Sequence, residues 1–283
     1  MPERRLFLLR YDTEWHPQPR SPDPSQVVGA YQSIEDMHGF LEKAVEVHRA
    51  DAIPATFFCQ GIALDRREEE FRDFFAEVAD DPLFDLQDHS YSHIGLAYEN
   101  GQPVEVIRAD YERSFAAHER LFGKRPIGIS ICGTPEGPPL AGFDATEKSR
   151  AEFDMVVELG VRMINTRLTG IDGSRSFVNY GSLGHAEVMG FPSGYSDTGW
   201  MLRKEQGDPM RFILDEVERR SAEGAHMPLM LHDWVAWRYA PDDALTHVRR
   251  IAEKARALGF ELVTHLACLH DETLWSGRPK ENR

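Results

Sequence analysis

The chain has 283 residues, 41% of them hydrophobic and 28% charged, with 47 acidic against 32 basic side chains and a formal charge of −15. That hydrophobic content excludes a disordered chain, and 22 glycines with 17 prolines exclude a fibrous or linker-like one. The negative charge argues against nucleic acid or an anionic membrane as partner, because both select clustered Lys and Arg. No apolar run approaches the roughly 18 residues of a spanning helix. The start, residues 1–10, carries charge around only four consecutive apolar residues, short of a signal-peptide core. Three cysteines, Cys59, Cys132 and Cys268, are scattered without a CxxC pair and imply no disulfide framework. The expectation is one cytoplasmic domain over residues 1–283.

In chain order, residues 5–10 open as a β-strand, and Tyr11-Asp12-Thr13-Glu14 follows it. A Pro-rich stretch over 16–26 reads as a long loop. Residues 55–59 form a second strand. Residues 65–79 form a helix with Phe71, Phe74, Phe75 and Val78 as its apolar stripe. A third strand over 84–87 runs into Asp88-His89-Ser90-Tyr91-Ser92-His93. If that segment enters a helix, its two histidines share one face. Val104, Ile107, Tyr111, Phe115 and His118 then mark one side of a long helix. Strands follow at 127–132, 162–165 and 187–191, the last leading into an aromatic loop over 190–200. A late apolar strand at 229–231 ends in His232. Leu245, Val248, Ala252, Ala255 and Leu258 mark another helix, and 261–264 is the last strand. Residues 265–270 read as a packed helix despite their His and Cys.

Seven or eight strands alternating with helices imply an α/β fold with a parallel sheet, and at this length a distorted (β/α) barrel. Such barrels carry their chemistry at the C-terminal ends of the strands. The reactive residues fall there: Asp12 and Glu14 after the first strand, His89 and His93 after the third, and His232 after a late one. One carboxylate with two imidazoles leaves open positions on a cation, the layout of a catalytic rather than a structural metal site. Each piece alone has an ordinary explanation. HxxxH arises by chance among 12 histidines, the carboxylates could pair with Arg10 or Arg20, and His232 could be a core histidine. Their conjunction at strand ends favours a mononuclear metal hydrolase. No GxGxxG, Walker, GxSxG or HExxH pattern is present.

The same residues resemble the NodB-homology polysaccharide deacetylases, carbohydrate esterase family 4. The resemblance rests on Tyr11-Asp12-Thr13-Glu14, Ile53-Pro54-Ala55-Thr56-Phe57-Phe58, His89-Ser90-Tyr91-Ser92-His93 and Leu229/Leu231-His232, and spans residues 5–265. It implies a distorted (β/α) barrel of seven or eight strands. It also implies Asp12 as catalytic base, His232 as general acid, and His89 and His93 as metal ligands. Thr13 stands where many members have a second aspartate, so Glu14 is the third ligand by analogy with Asp-x-Glu subfamilies.

Two further motifs depart from the family pattern. In the register of Gly123-Lys124-Arg125-Pro126, Ser130 falls where the base-orienting arginine is expected. Alternatively Arg125-Pro126-Ile127-Gly128 is the motif itself, or Pro135-Glu136-Gly137 a displaced remnant of it. The Trp/Asp element near the fifth strand is missing, with Arg162, Arg167 and Asp197 as substitutes that sequence alone does not separate. The expected cofactor is one divalent cation, zinc first, with cobalt, nickel or manganese as alternatives. The expected substrate is a small N-acetylated sugar or related amide. An allantoinase-like ureide hydrolase and a non-catalytic carbohydrate-binding relative are the rivals. The resemblance allows a homo-oligomer.

Overall fold

A computed structural model describes residues 4–14, 34–96, 101–132, 150–165, 177–181, 184–192, 195–197, 208–238, 245–271 and 273–274. Its elements in chain order are β1 (Leu6–Thr13), α1 (Ile34–Ala50), β2 (Ala55–Cys59), α2 (Gly61–Arg66), α3 (Glu68–Val78), β3 (Phe84–Asp88), α4 (Val104–Phe122) and β4 (Gly128–Ser130). Then come α5 (Arg150–Glu158), β5 (Met163–Asn165), β6 (Val178–Tyr180), β7 (His185–Gly190), β8 (Tyr195–Ser196), α6 (Pro209–Ala222), β9 (Met227–His232), α7 (Asp233–Arg238), α8 (Thr246–Ala257), β10 (Glu261–Val263) and α9 (His265–His270).

All eight expected strands are present. The additional β6 and β8, three and two residues long, are too short to carry a readable alternation. The expected helix over 65–79 is two helices, because Arg67 leaves the helical region at φ −128°, ψ 42°. Glu68, Glu69 and Glu70 then sit in the first turn of α3, where negative charge favours a fresh helix start.

The strands form one sheet in the order β6-β7-β5-β4-β3-β2-β1-β9-β8, with β10 also paired to β1; all pairings are parallel except β6 with β7. The sheet curves back on itself. Leu6 and Leu8 of β1 pack with Met189 and Phe191, at and just past the end of β7, although four strands lie between these two in the ladder. This is the distorted (β/α) barrel, and its inside and outside follow from the two-residue period of β1. Leu6, Leu8, Arg10, Asp12 and Glu14 share the inner face. Phe7, Leu9 and Tyr11 pack outward against Phe40, Ala44 and Val47 of α1 and Ile213 and Val217 of α6.

Below the rim, α9 crosses the interior. His265 Nδ1 meets Thr56 Oγ1 at 3.0 Å, Asn165 Nδ2 donates to His265 Nε2 at 2.6 Å, and the Leu266 N–H donates to Asp85 Oδ2 at 3.1 Å. His265 and Cys268 are thus packed residues, as expected. Because the strands run parallel, Asp12, Asp88, Ser130 and His232 all emerge at the same rim.

Candidate active site

β1 supplies the floor of the site. Asp12 and Glu14 are each 2% exposed, so each carboxylate needs a partner to offset its lost hydration. Asp12 has two: Ser130 Oγ donates to Oδ1 at 3.0 Å, and Arg10 Nη2 lies 3.7 Å from Oδ2. Arg10 is buried as well, its guanidinium 5.6 Å from the Phe58 ring centroid. Trp234 Nε1 donates to Glu14 Oε2 at 3.4 Å, while Asp233 Oδ1 accepts from the Glu14 main-chain N–H at 3.2 Å. Trp234 is 1% exposed, so its ring packs against the rim and has no free face for a sugar.

The histidine pair is placed by a loop and not by a helix, a correction to the helical spacing expected above. Ser90 and His93 take positive φ values of 56° and 62°. The segment's N–H groups go to side chains instead of i−4 carbonyls. Asp88 Oδ1 accepts from Ser90 N at 2.8 Å, and Asp110 accepts from Tyr91 N at 2.7 Å and from Ser92 N at 3.1 Å. Asx-type bonding of this kind competes with helix formation. Asp88 is itself held by Ser114 Oγ and by His118 Nε2 at 3.4 Å.

The resulting geometry brings Glu14, His89 and His93 together. Glu14 Oε1 lies 3.1 Å from His89 Nε2 and 2.9 Å from His93 Nε2. His89 Nδ1 faces the Ser130 carbonyl at 3.1 Å, and a carbonyl only accepts, so Nδ1 carries the proton and Nε2 presents its lone pair. A carboxylate oxygen facing imidazole lone pairs requires positive charge between them, either protons or a metal cation. Burial opposes charge on His89. The Cys132 sulfur and the Asp12 and Glu14 carboxylates nevertheless raise its pKa well above the usual imidazole value. The donor set therefore fits a divalent cation: two imidazoles and a carboxylate with the second nitrogen of one imidazole pinned by a backbone carbonyl, the usual outer support of a metal-bound histidine. Cys132 Sγ lies 3.6 Å from His89 Nε2 and completes a His89, His93, Cys132 group whose donor atoms lie within 4.8 Å of one another. The sequence reading missed Cys132, because one cysteine after a strand has no motif.

The last member comes from β9. His232 is the ladder partner of Asp12, so both side chains face the interior at one level. Asp197 Oδ1 accepts from His232 Nδ1 at 2.7 Å and its Oδ2 accepts from the His232 main-chain N–H at 2.7 Å. Burial lowers the His232 pKa, but Asp197 first, then Glu14 and Asp12, raise it to about 9. Among the three candidates for the missing fourth element, Asp197 is thus the one at the site. Arg162 Nη1 is spent on the carbonyls of Val161 at 2.8 Å and Val157 at 3.3 Å, and Arg167 lies outside the described residues. The third-motif alternatives separate equally. Ser130 touches Asp12, whereas Arg125 lies over the Phe115 ring and donates to the Leu159 carbonyl, away from the site. Pro135-Glu136-Gly137, Trp15, Arg20 and the Trp237 side chain lie outside the described residues, as does much of the 190–200 loop.

No protein-family profile matches the chain, and no curated protein matches it. Solved structures do. A candidate polysaccharide deacetylase from Mycobacterium smegmatis aligns with a TM-score of 0.68 at 15% identity, over 95% of this chain and 90% of that one. The chain has the polysaccharide deacetylase fold. The PuuE allantoinase aligns with a TM-score of 0.62 at 17% identity, over 94% and 88%. A carbohydrate esterase family 4 pseudoenzyme from Bacillus anthracis aligns at 0.55 and 11%, over 95% and 66%. Within this deacetylase-like barrel, no helix among the described residues is long and apolar enough to cross a membrane.

Proposed function

We propose that this protein is a metal-dependent hydrolase of a non-peptide C–N bond, acting on an N-acetylated sugar or a related small amide. The observation that carries the reading is the meeting of Glu14, His89 and His93 around one point, with Asp12 and the His232–Asp197 pair beside it. Glu14, His89 and His93 hold the cation. When bound, it supplies Lewis acidity toward the amide carbonyl and a water of lowered pKa. Zinc suits two imidazoles, and cobalt, nickel or manganese are the alternatives.

The remaining work belongs to the chain's own side chains. Asp12 takes the proton of the attacking water, its carboxylate held by Ser130 and Arg10. His232 gives a proton to the departing nitrogen, without which an amine is too basic to leave. A pKa of about 9 keeps His232 protonated at neutral pH, as a general acid requires. The products are a carboxylic acid, acetate for an acetyl substrate, and a free amine.

A ureide hydrolase is the second reading, favoured by the fold shared with the allantoinase. A non-catalytic binding protein is the third, motivated by the fold shared with the pseudoenzyme. The deciding experiment is metal content by mass spectrometry on protein purified without a His-rich tag, with His89→Ala beside it. It is followed by assay of acetate release from N-acetyl sugars and of allantoin hydrolysis. About one equivalent of transition metal, lost in the variant, together with acetate release, supports the first reading. Turnover of allantoin alone moves the assignment to the second. A bound sugar with no turnover under any divalent metal moves it to the third.

A further inference from the structure

We infer that Cys132 is a sulfur ligand of the same cation, so that the site discriminates for zinc-like and against hard divalent ions. The inference rests on the metal-site reading above and adds a donor to it that no motif predicts.

The argument begins with β4. It ends at Ser130, and the chain continues extended through Ile131, whose N–H donates to the Asn165 carbonyl at 3.1 Å. Residues two apart on such a segment share a face. Ser130 therefore sends its hydroxyl to Asp12, and Cys132 sends its sulfur to the face of His89 that carries the free lone pair. Cys132 is 3% exposed, inside the site and not on its rim.

Three contacts define the sulfur's position: 3.6 Å to His89 Nε2, 3.4 Å to the His89 carbonyl oxygen and 3.3 Å to Ser90 Oγ. The first is informative. A tetrahedral zinc site with Zn–N of about 2.0–2.1 Å and Zn–S of about 2.3 Å has a sulfur-to-nitrogen edge of about 3.6 Å. The His89–Cys132 separation is already that edge. A thiol placed there merely to fill space would not need to share its approach with two imidazole nitrogens. The other two cysteines lack such company: Cys59 Sγ turns to the Phe57 carbonyl, and Cys268 packs among Leu6, Leu8 and Met163.

Coordination replaces the S–H bond by a metal–sulfur bond and releases the proton to solvent. Thiolate is a soft donor that binds zinc and cobalt well and manganese or magnesium poorly. A sulfur beside Glu14, His89 and His93 therefore selects among the cations that those three alone would accept, and the water of the proposed reaction would then take a fifth position, an expansion that catalytic zinc sites allow.

The test uses the full chain loaded with Co²⁺, read by electronic absorption. The expected spectrum shows a near-ultraviolet sulfur-to-cobalt charge-transfer band alongside the visible ligand-field bands. In Cys132→Ser the charge-transfer band disappears, the visible bands persist, and the preference for zinc over manganese falls by about 10-fold or more. X-ray absorption at the zinc edge of the unmutated protein gives a second readout that does not depend on the variant folding: one sulfur at about 2.3 Å among lighter donors. Ligand-field bands without the charge-transfer band, or a zinc shell of nitrogen and oxygen only, would overturn the inference and leave the metal site standing. Absence of any cobalt or zinc binding overturns the metal-site reading and this inference with it.

Discussion

Asp197 grips His232 at two points, accepting from the ring Nδ1–H and from the main-chain N–H at 2.7 Å each. The pair sets both the orientation and the charge of the imidazole. Burial alone would favour the neutral ring, and the adjacent carboxylates reverse that preference to give a pKa of about 9. In Asp197→Asn the acceptor on Nδ1–H remains and the charge is lost. The alkaline limb of the kcat/KM profile should then move from about pH 9 toward the ordinary imidazole value of about 6.5. A limb that moved the whole way would leave about 3% of His232 protonated at pH 8, so the loss in kcat/KM is up to about 30-fold, less what Glu14 and Asp12 still hold. A limb that stays in place would remove His232 from the acid role.

Arg10 and Asp12 occupy adjacent inward positions of β1, and both are buried. Truncating one partner of a buried pair leaves the other uncompensated, at about 3 kcal/mol or more. Arg10→Met should lower the unfolding free energy by about that amount in urea denaturation. Adding Asp12→Asn should restore about half of it, since the uncompensated charge is gone. Additive losses in the double variant would mean that the two side chains do not interact.

Gly61 joins the fold to the site. Its N–H donates to the Ser90 carbonyl at 2.8 Å, and the Ile62 N–H donates to the Tyr91 carbonyl at 3.1 Å. A Cβ at Gly61 would stand 2.9 Å from Ser114 Cα and 2.5 Å from Ser114 Oγ, which is bonded to Asp88. Gly61→Ala should therefore cost about 1–3 kcal/mol by overpacking. It should also weaken metal retention in dialysis, because the loop carrying His89 and His93 must shift. Full stability with full metal content would show that α2 yields without disturbing the loop.

Two buried groups oppose one another in acid. His48 bridges Tyr11 OH at 2.9 Å and the Ile53 carbonyl at 2.7 Å, and burial pushes its pKa down to about 4. Below pH 6.5 the unfolded chain binds a proton there that the folded chain refuses. Its contribution to stability is thus present above about pH 6.5 and lost as pH falls toward 4. Asp85 is the reverse: burial raises its pKa to about 6, so its contribution is present below about pH 4 and lost as pH rises through 6. Each amounts to about 3 kcal/mol at most. Asp85→Asn removes the second and unmasks the first. Its urea-derived stability should fall from pH 6.5 to pH 4.5 more steeply than that of the unmutated protein, by about 2 kcal/mol. Parallel curves would mean that Asp85 titrates alike in both states.

Eight of the strands in their order, the helices around 104–118 and 245–258, and the placing of Asp12, Glu14, His89, His93 and His232 at or just past strand ends were legible in the sequence. These features are local: two-residue alternation, helical stripes and the residues that directly follow a strand. Whatever depends on which chain segments become neighbours was not legible. Asp197 meets His232 across 35 residues, Ser130 meets Asp12 across 118, and Cys132 meets His89 across 43. The turn of the His89–His93 segment depended on Asp110, 19 residues beyond Tyr91, taking the N–H groups a helix would have used. The sequence by itself determined a barrel with reactive groups at its rim. The curvature and register of the sheet decided which partners those groups met, because parallel strands bring together residues that lie far apart along the chain.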